Sequence, residues 1–261
     1  MRRWIIALPA VLMACGSLDG SGDLPVLPQA LKAACGSAQP AASSGTCFAG
    51  VDYLHFPPGA IFQVRSDGTV ATLYQRAADS LTSYAQAPDG TVYFTNAVNG
   101  TALYKIDGTG ESIVYRHSTY VRMVRIDSKG QIYFNESSGA GADGTIYRLV
   151  NGAAEVFYRV NLATVGGFWG DFGFDREDRL WLSSSNQIPS RLYLVVDGVP
   201  QLVYRSRQTA FMGFRFLSDT KVLFAGQDSF LRQLDLCTGK LTEVYAVQGS
   251  LQAQDVNTCP R

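Results

Sequence analysis

The chain has 261 residues, with 22 Lys and Arg balanced by 22 Asp and Glu, and only two histidines, His55 and His117. That length suits one compact domain. The zero formal charge argues against a nucleic-acid partner or a polybasic membrane surface. The scarcity of histidine leaves little room for a zinc centre or for a nucleophile paired with an imidazole base.

Residues 1–14 read as a signal peptide: Arg2 and Arg3 precede an apolar run of eleven residues, Trp4 to Ala14. Such a run is too short for a mature transmembrane helix, which needs roughly 20 residues. It ends in Leu12-Met13-Ala14-Cys15, which resembles the lipobox of bacterial lipoprotein precursors. The resemblance implies cleavage before Cys15, diacylation of its sulfur with palmitate-like chains and acylation of its new amino group. Acyl chains buried at roughly 0.8 kcal/mol per methylene then hold the protein to the membrane. Gly16 rather than Asp follows the cysteine, which points to the outer membrane within the cell envelope. Loss of Arg2 and Arg3 leaves 20 basic against 22 acidic side chains. Residues 15–46, rich in Gly, Ala, Ser and Pro, read as a lipidated tether and lead-in, with one short helix over 29–35.

From 47 to 261 the sequence repeats. Each unit runs strand, turn, x-Tyr-Phe strand, polar loop, Leu-Tyr-x-Ile strand, Gly turn, and a strand ending near Tyr. The final tyrosines, Tyr74, Tyr115, Tyr158, Tyr204 and Tyr245, are spaced by 41, 43, 46 and 41 residues, the length of one propeller blade. The strands alternate apolar and polar residues with period two. Asp-Gly and Asn-Gly pairs such as Asp89-Gly90, Asp107-Gly108, Asn151-Gly152 and Asp197-Gly198 supply the positive φ of tight hairpins. The first repeat lacks its inner strand, and Leu251 to Val256 resembles the missing piece. The expected fold is therefore an all-β propeller of about five four-stranded blades, one shared by the N- and C-terminal strands, which removes two free edges. The alternative is six blades, the sixth lying in residues 16–46.

Four cysteines remain in an exported chain, which implies disulfides. Blade sharing favours Cys47–Cys259 as a clasp, with Cys35–Cys237 beside it. Cys35–Cys47 with Cys237–Cys259 stays open.

The string Asp-x-x-Gly-x-Ile-Tyr-Phe over residues 47–256 resembles the NHL-repeat and gluconolactonase-like propellers. That resemblance implies sites at the starts of inner strands and after the second strands, and a divalent cation held by oxygen ligands. Asn96, Asn135, Glu136 and Asp171 stand at such places, and their chemistry suits Ca2+ or Mg2+. The family's N-terminal glutamate ligand has no match in Cys47 to Asp52. Phe168 and Trp169, flanked by glycines, offer aromatic surface beside Asp171. Arg122, Arg125 and Arg215 fall on inner strands, where they line the channel or pair with Asp171 or Asp255. The sequence as a whole favours a non-catalytic binding or scaffold lipoprotein for an envelope protein, peptide or glycan, without a cofactor. The alternative is a metal-dependent hydrolase or lactonase.

Overall fold

The computed structural model describes residues 27, 31, 32, 35, 46–52, 59–65, 67, 69–75, 81–96, 100–137, 144–165, 169–184, 188–247 and 251–258. They form an all-β propeller of five four-stranded antiparallel blades. Blade I begins with β1 (Thr46–Asp52), β2 (Gly59–Val64) and β3 (Val70–Gln75). Blade II is β4 (Leu81–Gln86), β5 (Val92–Asn96), β6 (Ala102–Asp107) and β7 (Gly110–Arg116). Blade III is β8 (Tyr120–Ile126), β9 (Ile132–Ser137), β10 (Gly144–Val150) and β11 (Ala153–Val160). After a helical turn, Leu162–Val165, blade IV follows as β12 (Trp169–Phe174), β13 (Leu180–Ser184), β14 (Ser190–Val196) and β15 (Val199–Ser206). Blade V is β16 (Phe211–Ser218), β17 (Lys221–Gly226), β18 (Phe230–Asp235) and β19 (Leu241–Ala246). The chain then returns as β20 (Leu251–Thr258), which pairs with β1 from Thr46 opposite Thr258 to Asp52 opposite Leu251. The blade shared by both ends is thus present, and the count is five. Inner strands β20, β4, β8, β12 and β16 pack in sequence, and β16 closes onto β20.

Each blade is buried on both faces, so the apolar residues fall into five clusters, one per blade interface. Tyr84 and Phe94 of blade II pack with Ile61 of blade I, and Val124 and Phe134 of blade III with Leu103 of blade II. Phe172 and Leu182 meet Ile146 across blades III and IV. Trp181 and Phe214 share the IV–V interface, and Val256 and Leu223 the V–I interface. Two-sided burial explains a departure from the period-two expectation: β13 is buried along its whole length.

Two of the predicted hairpins form as read. Asn151 and Gly152 have φ of 50° and 79°, and Asp197 and Gly198 have 51° and 77°, the doubly positive pattern of a two-residue hairpin. Asp107-Gly108 differs: the positive φ lies at Gly110, and Asp107 Oδ1 instead accepts the Thr109 N–H at 2.8 Å.

The recurrent Val-Tyr ending proves to mark a β-bulge. In all five blades the residue before the tyrosine has no partner on the third strand: Leu73, Val114, Phe157, Val203 and Val244 are skipped in the register. The tyrosine itself can latch the next blade. Tyr74 Oη donates to Glu111 Oε2 at 2.7 Å and Tyr158 Oη to the Gly198 carbonyl at 2.9 Å. The inner strands carry a second bulge, skipping Thr82, Gly170, Met212 and Gln254. A bulge bends the strand and re-aims its side chains.

Cys35 bonds to Cys237, as the clasp reading expected, closing a separation of 202 residues. Leu31, fully buried, packs the lead-in against Trp181 and Leu236. Residues 31, 32 and 35 are helical. Cys47 is also disulfide-bonded. Cys259 and the lipidation residue Cys15 lie outside the described residues.

Candidate functional site

The strand directions give the disc two faces. The turns joining first to second and third to fourth strands lie on one, the turn face. The connections entering each inner strand, and those joining second to third strands, lie on the other, the loop face.

Between the faces, on the axis, stands Arg125 of β8. The register places Ser83, Asp171 and Asp255 at equivalent points on three inner strands, each one residue past a bulge. All converge on the guanidinium. Arg125 Nη1 donates to Asp255 Oδ2 at 2.8 Å and to Ser83 Oγ at 3.0 Å. Nη2 donates to Asp255 Oδ1 at 2.7 Å and to Asp171 Oδ2. Nε donates to the Phe172 carbonyl at 3.0 Å. Asp171 Oδ2 further accepts the Phe214 N–H of blade V at 2.9 Å. One guanidinium and its ligands thus tie together all five blades. The aspartates are matched in detail: Asp171 Oδ1 accepts the Phe172 N–H at 2.7 Å, and Asp255 Oδ1 the Val256 N–H at 2.8 Å.

Burial works against the charge on Arg125, but the Asp171 and Asp255 carboxylates outweigh it and hold its pKa above the ordinary arginine value. Burial pushes the Asp171 carboxyl up to about 7; Arg125 pulls it down and the Asp255 charge adds to the rise. Arg122 lies beside this network, with its pKa lowered by burial against the pull of Tyr120, Asp171 and Asp255.

The residues expected to hold a divalent cation do not form a fitting donor set. Asn135 Oδ1 accepts the Met123 N–H at 2.7 Å. Glu136 Oε2 accepts the Thr119 hydroxyl at 2.9 Å. Both Asp171 oxygens receive peptide N–H groups, and a guanidinium stands beside it where a cation would sit. Asn96 and Asn135 are not equivalent. Phe94 and Phe134 match in register, so Asn135 corresponds to Thr95, and Asn96 lies one residue further on, on the opposite side of its strand. Among the described residues no three His, Cys, Asp or Glu side chains gather as a metal site. Trp169 opens β12 and Phe168 lies outside the described residues.

One constellation went unread in the sequence. On the loop face of blade III, Thr119 lies between His117 and Glu136. Its Oγ1 is 2.8 Å from His117 Nδ1 and donates to Glu136. The His117 ring packs 4.9 Å from the Tyr147 ring, which stacks 5.4 Å from Phe134. Burial, then the Glu136 charge, raises the Tyr147 phenol pKa. No spacing rule links residues 117, 119, 136 and 147; only blade closure brings them together.

This architecture defines a five-bladed β-propeller whose centre is closed by an ionic hub. No family model matches the sequence, and no curated protein matches it. Solved structures do resemble it. A protein of unknown function from Bacteroides caccae superposes with a TM-score of 0.51 at 15% identity, covering 78% of this chain and 74% of that one. A gluconolactonase from Xanthomonas campestris gives 0.51 at 13% identity, over 82% and 80%. A virginiamycin B lyase from Staphylococcus aureus gives 0.45 at 14% identity, over 82% and 75%. At these identities the likeness concerns the fold.

Proposed function

We propose that this chain is a non-catalytic binding propeller, displayed on the cell envelope through a lipid on Cys15, whose loop face takes a protein, peptide or glycan. One observation carries the reading. The axial acids that a gluconolactonase-like catalyst would turn toward a metal and substrate are spent on closing the ring: Asp171 and Asp255 bind Arg125 at full burial. What the loop face does offer is a half-buried group of aromatic and hydrogen-bonding side chains, His117, Glu136 and Tyr147, on a rigid blade. Such groups suit recognition of a sugar or a peptide.

Three measurements test the proposal. The full chain in detergent is assayed for lactone hydrolysis with and without Ca2+ or Mg2+, and for binding to glycan and peptide arrays. The expected result is no metal-dependent turnover, with array binding weakened by Glu136→Gln or His117→Ala. Metal-dependent hydrolysis abolished by Asn135→Ala would establish the lactonase alternative instead. Labelled palmitate should enter the wild-type chain and not Cys15→Ser.

A further inference from the structure

The formal charge of zero conceals an uneven distribution between the two faces of the disc. In blades II, III and IV the outer strand carries Tyr-Arg near its loop-face end: Tyr115-Arg116, Tyr158-Arg159 and Tyr204-Arg205. The register makes the three arginines equivalent. Each faces the third-strand residue that precedes the partner of its tyrosine, respectively Ala102, Thr145 and Arg191. Blades I and V place Gln75 and Ala246 at the same point. One cation per blade therefore stands along the rim over three consecutive blades. Arg116 and Arg159 are exposed and Arg205 is half-buried.

Blade IV doubles the charge. Arg191 lies directly opposite Arg205, and both bear on the Tyr193 phenol, whose pKa burial raises and the two guanidiniums pull back. The acids of these blades stand mostly at the other end. Asp89, Asp107, Glu111, Asp127, Asp175 and Asp197 lie at the turn face. The stretches 91–106, 112–126, 156–170, 179–196 and 198–218 contain no Asp or Glu. Blade III keeps Glu136 beside the arc, where it accepts the Thr119 hydroxyl. Its Asp143 lies outside the described residues.

We propose that this arc is a track for a linear acidic polysaccharide, whose carboxylates meet Arg116, Arg159 and Arg205 in turn while its hydroxyls meet Glu136. The proposal rests on the loop face being the binding face, and it fixes the charge and shape of the ligand. A guanidinium fork matches a carboxylate in geometry and charge. Cations set once per blade along a curve suit a chain with a repeating charge. Glu136, in the middle of the arc, suits a chain that carries hydroxyls between its charges. It disfavours a uniformly anionic strand such as polyglutamate or single-stranded DNA.

A long oligogalacturonate is the probe, compared with digalacturonate, neutral dextran, polyglutamate and single-stranded DNA. Binding of end-labelled probes to the full chain in non-ionic detergent is followed by fluorescence anisotropy. The oligogalacturonate should bind, and more weakly as salt rises. Digalacturonate should bind about a hundredfold more weakly, because it reaches one arginine at a time. Arg116→Gln, Arg159→Gln and Arg205→Gln should each weaken the long probe about tenfold, the loss of one charge-assisted contact. Lys129→Gln, on the turn face, should leave it unchanged. Unaltered thermal midpoints would show that the arginine variants fold. Polyglutamate or DNA bound as tightly as oligogalacturonate, or full affinity in all three arginine variants, would overturn the proposal. Dextran bound equally well, and lost in His117→Ala but not in the arginine variants, would overturn the track and leave the loop-face reading standing. No binding of any probe would overturn the track, and array binding by neutral glycans or peptides would then decide the loop-face reading separately.

Discussion

Replacing Arg125 with methionine tests the hub most directly. The substitution keeps a long side chain and removes a guanidinium that donates to Ser83, Asp171, Asp255 and the Phe172 carbonyl. Two fully buried carboxylates then lose the guanidinium that bonded both of them. Breaking a buried pair by removing one partner costs about 3–5 kcal/mol, and here one arginine serves two acids, so the upper end applies. Against a total stability of about 5–15 kcal/mol that loss is severe. With a urea slope of about 2–3 kcal/mol per molar, the midpoint should fall by about 2 M. Trp181, buried between blades IV and V, provides the fluorescence signal. The pH dependence carries a sign. Without the arginine, the Asp171 carboxyl, already raised by burial, rises further above its unfolded value. The stability is then retained at acid pH and lost as pH rises through that raised value. The deficit should shrink at pH 5 and widen at pH 8. The triple variant Arg125→Met, Asp171→Asn, Asp255→Asn removes the charges together and should regain at least half the loss at pH 8. A midpoint shift below about 0.5 M with no pH dependence would refute the reasoning, since a network worth under about 1.5 kcal/mol cannot be holding the ring together.

Other outcomes follow from named contacts. Cys237→Ser opens a closure of 202 residues; on the chain-entropy account it should cost about 5 kcal/mol in urea unfolding. Non-reducing peptide mapping should recover the Cys35–Cys237 pair. Trp181→Phe removes the Nε1 bond to Asp175 Oδ2 at 2.8 Å and should cost about 2 kcal/mol, the worth of a hydrogen bond to a charged acceptor. Burial, aided by Asp127, pushes the Tyr133 phenol up to about 12. Its contribution to stability is therefore intact below its ordinary value and lost as pH rises toward about 12. Ultraviolet titration should show a late phenolate that is absent in Tyr133→Phe.

The ring was legible because each blade repeats a local pattern. The tyrosine spacing gave the blade length, and the truncated first repeat gave the sharing of β20 with β1. What the tyrosines mark was not legible. A bulge is a property of the pairing, and Val203-Tyr204 looks like any strand end until Leu192 and Tyr193 are laid beside it. Asp171 was singled out from its place at the start of an inner strand, and pairing of Arg125 with Asp171 or Asp255 was among the readings. The sequence alone could not tell that Arg125 takes both acids, because that depends on which inner-strand residues the second bulge turns toward the axis. Asn96 and Asn135 looked alike because each follows a Tyr-Phe pair closely, yet a difference of one position on a strand puts them on opposite sides.

The placement of Asp255 on the last described strand sets the order in which the hub can be completed. During synthesis, Arg125 is made 130 residues before the acid that completes its coordination. Until β20 slots in beside β1, the guanidinium has one carboxylate, blade I has three strands, and the axis is open to water. A chain cut short by even a few residues before Asp255 could make most of five blades and still carry a mismatched charge at its centre. The last strand to be made therefore supplies both the fourth strand of blade I and the second acid of the hub.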